Sequence, residues 1–422
     1  MGNKSKKQIV EPLGISTASE KGRSISSGIA LYIHIPFCET KCPYCDFNTY
    51  AGINYLIPSY IGALTNELRI WAKTLEHPRV NNMFLGGGTP SMLSAKQMHS
   101  LLSLVRSEFA VQPDAEVTAE VNPDDVTLDR LSGFRDAGIN RISMGVQSFS
   151  NSELQLIGRR HNVSQVLKAF EIIQNSGITN ISMDLMYGLP HQSIEAWKRN
   201  IETVITAAPQ HISAYALTLE PETPMAHRVS KGILPEQDSD LAADMYEWAS
   251  LELARVGYRN YEISNWAFPG RESRHNIIYW HNLPYLGVGP GAHSFLGGYR
   301  FANGKSPLAY IAKVNSWGKP PVDLEVLLRE NPGYIEDIEP MDRKTEMADS
   351  LIMGLRLADG VRNRDFKDRF GLNLHEAYGD AIKETISLGL LRSSGIWPEA
   401  TIRLTERGKL LANEAFLRFL AD

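Results

Sequence analysis

The chain has only three cysteines, and all of them fall within eight positions: Cys38, Cys42 and Cys45. An odd, clustered set of this kind cannot be a disulfide scaffold and points to metal ligation or redox chemistry. The C-x3-C-x2-C spacing, just after a predicted strand, lets one loop wrap an iron–sulfur cubane. Three thiolates saturate three irons and leave the fourth open to an amino-acid group that chelates through nitrogen and carboxylate. S-adenosylmethionine (SAM) carries such a group. Electron transfer from a reduced [4Fe–4S] cluster into its sulfonium would cleave a C–S bond, giving methionine and a 5′-deoxyadenosyl radical. The alternative is a structural zinc site built from the three thiolates and His34, since zinc favours four closed sulfur and nitrogen ligands.

Further residues fall where a SAM pocket would need them. Gly86-Gly87-Gly88-Thr89-Pro90 is a turn with no side chains in the way, whose backbone could approach a methionine amino group. Glu120, in Thr118-Ala119-Glu120-Val121-Asn122, is a carboxylate inside an apolar run, and a buried carboxylate needs a partner such as a ribose or an amine. Gln147 ends the run Ser143–Gln147, and Arg159 could pair bidentately with a carboxylate. Asp184 opens Asp184-Leu185-Met186-Tyr187-Gly188-Leu189-Pro190. Each alone reads more readily as a capping or core hydrogen-bonding residue; their common placement at strand ends favours the pocket.

The elements that must position these groups alternate. Short apolar runs at Leu31–Pro36, Asn82–Gly86, Glu116–Asn122, Arg141–Gln147, Asn180–Tyr187 and His211–Thr218 predict buried strands. Between them, Ile57–Leu75, Ala95–Phe109, Val163–Ser176 and Ile194–Ala208 have apolar residues at helical spacing. Six strand–helix units predict an α/β fold, an incomplete parallel (β/α)6 TIM-like barrel, with the candidate residues at the carboxyl ends of its strands, the catalytic face of barrels. A further helix is predicted at Leu241–Val256, and the segment Tyr258–Ser294, dense in Tyr, Trp, His and Asn, reads as the barrel's far edge.

Domain limits follow the composition. Residues 1–28, rich in Ser, Gly and Lys with Glu11 and Glu20, read as a disordered tail. The barrel and its extension span 29–318. The breaker cluster Gly318-Lys319-Pro320-Pro321 then leads to a smaller, mainly helical or winged-helix domain over 323–422, with a hairpin near Leu390–Leu404. A formal net charge of −5, from 43 basic and 48 acidic residues, argues against nucleic acid as a partner and leaves at most peripheral membrane contact. No stretch approaches the ~18 apolar residues of a membrane span, and a cytoplasmic location is expected.

The cysteine loop with its lead-in Tyr32-Ile33-His34-Ile35-Pro36-Phe37, together with the later motifs, resembles the radical SAM family of oxygen-independent coproporphyrinogen III dehydrogenases (HemN) and their relatives, the HemW heme chaperones. The resemblance covers residues 29 to about 420. It implies a radical SAM barrel with a HemN-type C-terminal domain, a [4Fe–4S] cluster on Cys38, Cys42 and Cys45, and SAM as cofactor. By that resemblance Tyr32, Tyr44, Gly87, Gly88, Thr89, Glu120, Gln147, Arg159 and Asp184 match SAM-contacting positions. Thr218 and His293 match two more, where the dehydrogenase carries apolar residues, so that only backbone contacts transfer.

The two branches differ at informative places. Dehydrogenases continue the loop as C-x3-C-x2-C-x-C, whereas Cys45 is followed here by Asp46-Phe47-Asn48, and they carry a structured N-terminal arm. His275-Asn276-Ile277-Ile278-Tyr279-Trp280 resembles the H-N-x-x-Y-W signature of the heme chaperones. His275 could ligate heme iron, with Tyr279 and Trp280 offering aromatic surface; it could equally be a polar histidine capping a turn. The resemblance therefore implies a chaperone that binds heme as cargo and delivers it to apo-heme proteins such as respiratory cytochromes, with an electron donor for the cluster. Radical SAM coproporphyrinogen III oxidation in porphyrin biosynthesis is the enzymatic alternative, and an iron–sulfur interaction module that keeps SAM as a structural ligand is a third.

Overall fold

The computed structural model describes residues 25–317, 323–330 and 333–420. The tail expected over 1–28 lies outside the described residues as far as position 24. From there Ile25–Ser27 forms a 3-10 turn and Ile25 packs on the core. The Gly318–Pro321 breaker also lies outside the described residues.

Six parallel strands lie side by side in chain order: β1 (Ile29–Ile35), β2 (Arg79–Gly87), β3 (Ala110–Val121), β4 (Arg141–Gln147), β5 (Asn180–Tyr187) and β6 (His211–Ala216). Helices α1 (Ile57–Thr74), α2 (Ala95–Glu108), α3 (Leu128–Asp136), α4 (Val163–Asn175) and α5 (Ile194–Ala207) return the chain between them. Local chemistry starts these helices in register. Ser94 with Gln97 and Asn162 with Gln165 form capping boxes at the start of α2 and α4, pairing two otherwise orphaned N–H groups each.

Side chains alternate across each strand, and the alternation is polar inside and apolar outside. Ile33, Met83, Val117, Ile142, Ile181 and Ile212 belong to the main hydrophobic core under the helices. The opposite face carries Glu120 level with Ser143, and Asp184 level with Ser213. A barrel packed solid would place bulky apolar residues there. This one encloses a polar cavity.

The predicted far edge is two edges. After α6 (Ser239–Arg255), β7 (Arg259–Glu262) and β8 (Asn265–Ala267) add antiparallel strands beside β6. The chain then passes through α7 (Arg274–Trp280) to β9 (Tyr285–Val288), a seventh parallel strand beside β1. Antiparallel β10 (His293–Leu296), β11 (Tyr299–Asn303) and β12 (Ile335–Pro340) extend that edge. The sheet runs β12-β11-β10-β9-β1-β2-β3-β4-β5-β6-β8-β7 and stays open.

The C-terminal region has its own core of Leu351, Leu355, Phe366, Phe370, Leu374 and Ile402. Helices α8 (Arg343–Leu355), α9 (Asn363–Phe370) and α10 (Leu374–Ser387) pack around a three-stranded antiparallel sheet of β13 (Val361–Arg362), β15 (Thr401–Leu404) and β14 (Leu391–Ser394). The β14–β15 hairpin falls where the sequence places one. This region docks against α7: the Arg356 guanidinium lies 4.4 Å from the centre of the Trp280 ring, and Arg369 donates to the carbonyls of His281 and Asn282.

Candidate functional site

The cysteine loop sits over the carboxyl ends of the strands. It is pinned from several sides. The Phe37–Cys38 segment pairs with Tyr50–Ala51, and the N–H groups of Gly88 and Thr89 donate to the carbonyls of Ile35 and Phe37, both at 2.8 Å. Farther along the loop, Met225 N–H donates to Pro43 O at 2.8 Å, and Tyr44 packs on a small apolar cluster formed by Ile157, Met186, Leu189, Leu217, Met225 and Leu234.

This arrangement revises the reason for the glycine run. A Cβ on Gly87 would lie 2.3 Å from the His34 ring, and one on Gly88 would lie 2.6 Å from the carbonyl oxygens of Ile35 and Phe37. The glycines are needed first to let β2 press against the end of β1 that launches the cysteine loop. Gly87, with φ of 103°, turns its N–H to Glu120 Oε2 at 3.1 Å.

Beneath the loop lies a cavity of about 530 Å³ lined by all three cysteines. Tyr44, Gly87, Gly88, Thr89, Glu120, Gln147, Arg159, Asp184 and Thr218 line it as well. Tyr32 and His293 do not. They line a second, adjoining cavity of about 850 Å³, which shares Gly87 and Glu120 with the first. The barrel thus gathers most of the predicted residues in one chamber and divides the rest into its neighbour.

The electrostatics of the first chamber suit a cationic, carboxylate-bearing ligand over a metal cluster. Arg159 bridges the two parts: it donates to Cys42 Sγ at 3.7 Å, to Gly145 O at 2.9 Å and to Asn122 Oδ1, while its Nε is buried with no partner among the described residues. Thr89 donates to Cys38 Sγ at 3.5 Å and accepts from Asn122 Nδ2 at 3.1 Å. Burial raises the Cys38 and Cys45 thiols above their ordinary value. Deeper in, burial and the neighbouring Asp184 push Glu120 up to about 8, against the Gly87 N–H that favours its charge. Asp184 is likewise raised by burial, and accepts from Ser143 at 2.8 Å and Ser182 at 2.9 Å. Gln147 adopts a left-handed φ of 67°, rare for a side-chain-bearing residue, at the strand end.

Two tests separate a cubane from the zinc alternative. A single zinc ion needs four donors about 2.0–2.3 Å from one point. Among the described residues no group of three or more Cys, His, Asp or Glu side chains converges closely enough to hold a single metal ion, and the His34 ring is spoken for, with Nε2 at 2.9 Å from Asn48 O and Nδ1 at 3.0 Å from the Tyr32 hydroxyl. A cubane instead needs one thiolate at each of three iron corners, and all three cysteines line the same chamber.

Of the predicted heme residues, His275 lies toward the amino ends of the strands, against Asn82, while Tyr279 and Trp280 line the second cavity. His275 is buried, with Nδ1 at 2.6 Å from Asn82 Oδ1 and Nε2 at 2.8 Å from the Tyr279 hydroxyl, and it stacks on Phe84 at 5.2 Å between ring centres. Burial and the charge of Arg141 push it down to about 3, so it is held neutral. In this arrangement both ring nitrogens are engaged by protein partners, and Trp280 docks the C-terminal region through Arg356. Several lining residues escape the motif reading: Asn122, Arg141, Ser143, His211 and Ser213. Their signal is a polar residue at alternate positions of otherwise apolar strands.

Comparison with known proteins agrees with this architecture. Residues 32–204 match the Radical SAM superfamily and residues 341–411 the HemN C-terminal domain. The solved structure of coproporphyrinogen III oxidase (HemN) from Escherichia coli, a radical SAM enzyme, superposes with a TM-score of 0.78 over 95% of this chain and 92% of that one, at 23% identity. Fold and loop together place the chain among radical SAM proteins. The sequence is 36% identical over 392 residues to the heme chaperone HemW of Bacillus subtilis, covering 93% of this chain and 99% of that protein, and 35% identical over 397 residues to the heme chaperone HemW of Escherichia coli K12, covering 93% and 98%. The chain belongs to the HemW heme chaperone family. That family membership implies a [4Fe–4S] cluster and SAM, and the donor set beneath the cysteine loop fits both.

Proposed function

We propose that this protein is a cytoplasmic chaperone that binds heme and delivers it to apo-heme proteins such as respiratory cytochromes, with a SAM-liganded [4Fe–4S] cluster beside the cargo. The observation that carries this reading is the nearly full-length similarity to proteins named as heme chaperones. Cys38, Cys42 and Cys45 would hold the cluster. Arg159, whose Nε lacks a partner among the described residues, would take the SAM carboxylate, and Glu120 and Asp184 would take its polar groups. When bound, the cluster and SAM together supply reductive cleavage of a C–S bond. Phe47 stands where the dehydrogenase pattern has its fourth cysteine, and places a 63% exposed ring at the mouth of both cavities. The absence of the thiol that the dehydrogenase pattern carries at this position favours the chaperone over the dehydrogenase reading. Among the described residues no helix is long and apolar enough to cross a membrane.

The deciding experiment takes the full chain, reconstituted anaerobically with iron and sulfide. Stoichiometric heme binding followed by transfer to an apo-cytochrome is the expected result. Conversion of coproporphyrinogen III with matching 5′-deoxyadenosine release, and no heme transfer, would replace it with the enzymatic reading.

A further inference from the structure

We infer that the base of the cluster chamber is a separate binding site for a small oxyanion, a carboxylate or a phosphate group, built around Arg141. It lies below the SAM pocket and stands independently of the heme reading.

The floor that α7 closes is saturated at Glu116 and His275. Beside them, close enough for both to feel its charge, one group is not. Arg141 opens β4, is only 2% exposed and lines the chamber. Its guanidinium nevertheless makes neither a hydrogen bond nor an ion pair among the described residues, and its Nε is buried without a partner. A buried charge is stable only when paired or hydrogen-bonded, so an occupant of the cavity has to supply what the protein does not.

The acids of the chamber do not fill that role. Glu116 accepts from the Arg274 N–H, and Asp184 accepts from Ser143 and Ser182. Burial raises both carboxyls toward their protonated forms. His211 is held neutral by burial, with Nδ1 at 2.8 Å from Ser182 Oγ and Nε2 at 2.9 Å from the Tyr261 hydroxyl. The charge of Arg141 is therefore left uncompensated by contact.

The neighbouring lining adds donors. Ser273 and Asn276, at the start of α7, also face the chamber. Ser273 Oγ accepts from the Asn276 N–H at 3.4 Å and keeps its own hydrogen to give, and the Asn276 side-chain amide has no partner among the described residues. A guanidinium, a hydroxyl and an amide with hydrogens to donate select an acceptor-rich anion over a cation or an apolar group.

SAM does not supply that anion. Its one negative group, the carboxylate, belongs with the cluster over the carboxyl ends of the strands, and Arg141 and Gln147, at the two ends of β4, are roughly 20 Å apart along the strand. The adenosyl part that could reach deeper carries no negative charge. Because the whole chamber measures about 530 Å³ and the cluster and SAM take its upper part, the occupant of the base is small.

The test titrates the full, cluster-loaded chain, desalted into chloride buffer, with inorganic phosphate and separately with acetate at constant ionic strength, read by calorimetry. Saturable binding of one anion per chain is expected, and the tighter of the two assigns the oxyanion to the phosphate or the carboxylate class. Arg141→Gln should weaken binding about tenfold or more and Asn276→Ala about threefold, as for the loss of a charge-assisted and of a neutral hydrogen bond. Arg159→Ala should leave anion affinity unchanged, which separates the base from the pocket for the SAM carboxylate. Unaltered iron content in Asn276→Ala shows an intact chamber and keeps the test decisive where Arg141→Gln does not fold. Wild-type affinity in Arg141→Gln, or in Asn276→Ala where Arg141→Gln does not fold, overturns the inference. So does loss of binding in Arg159→Ala, or the absence of saturable binding in the wild type, which would mean that water alone fills the base. None of these outcomes bears on heme transfer.

Discussion

The two ends of the barrel carry similar chemical groups and put them to opposite uses. At the carboxyl end, Arg159, Glu120 and Asp184 surround an open chamber, and the guanidinium keeps an Nε unpartnered among the described residues. At the amino end, α7 closes the floor. Arg274 N–H donates to Glu116 at 3.0 Å, and His275 is saturated by Asn82 and Tyr279. A histidine or carboxylate is a ligand group only where its hydrogen-bonding capacity is left over. The same contrast separates His275 from His293, which lie in one sequence segment but face a closed floor and an open cavity.

Substitutions at the two ends should break the molecule differently. Cys38→Ser should have the largest effect: iron bound per chain falls to near none after reconstitution, since two thiolates cannot hold the cubane. Arg159→Ala should weaken SAM binding roughly ten- to a hundredfold, the worth of a charge-assisted pair, with the cluster retained. His275→Ala should do the reverse. It leaves the Asn82 amide and the Tyr279 hydroxyl buried without their partner, and should lower unfolding free energy by roughly 2–4 kcal/mol in urea while SAM affinity is kept. Loss of SAM affinity without loss of stability in His275→Ala would erase the distinction between the two ends.

A further effect is one of pH. Glu120 keeps its proton up to about 8 in the folded chain, whereas the unfolded chain releases it near 4.5. Between those values the folded state binds more protons, so this residue makes stability fall as pH rises, by up to about 1.4 kcal/mol per pH unit. Below 4.5 the contribution levels off. Glu120→Gln should remove that slope, and the difference in unfolding free energy between the two proteins isolates it from His211 and His275, whose buried neutral rings titrate in the opposite sense. Parallel pH profiles would show that Glu120 is charged in the folded chain.

Much of the architecture was legible because it is local. The runs Arg141–Gln147 and Asn180–Tyr187 are strands to the residue, and the helix limits predicted from spacing hold to within one or two positions, since amphipathic period and capping residues such as Ser94 and Asn162 act within a turn. Strand β9 was not legible. Tyr285–Val288 joins β1 across some 250 residues of chain, and nothing in a four-residue segment states its partner. For the same reason the Tyr258–Ser294 segment read as one edge when it serves two.

What the sequence determines alone is the kind of chemistry: three cysteines at a spacing that a single loop can wrap around a cluster, and a periodicity that brings polar residues to strand ends. Which of those residues keeps a free valence was decided by the tertiary structure. His275 and His293 are the same side chain in the same segment, yet one is sealed by an asparagine 193 positions away and the other is left open. Hydrogen-bond saturation is a property of packing, and packing partners are set by the whole chain.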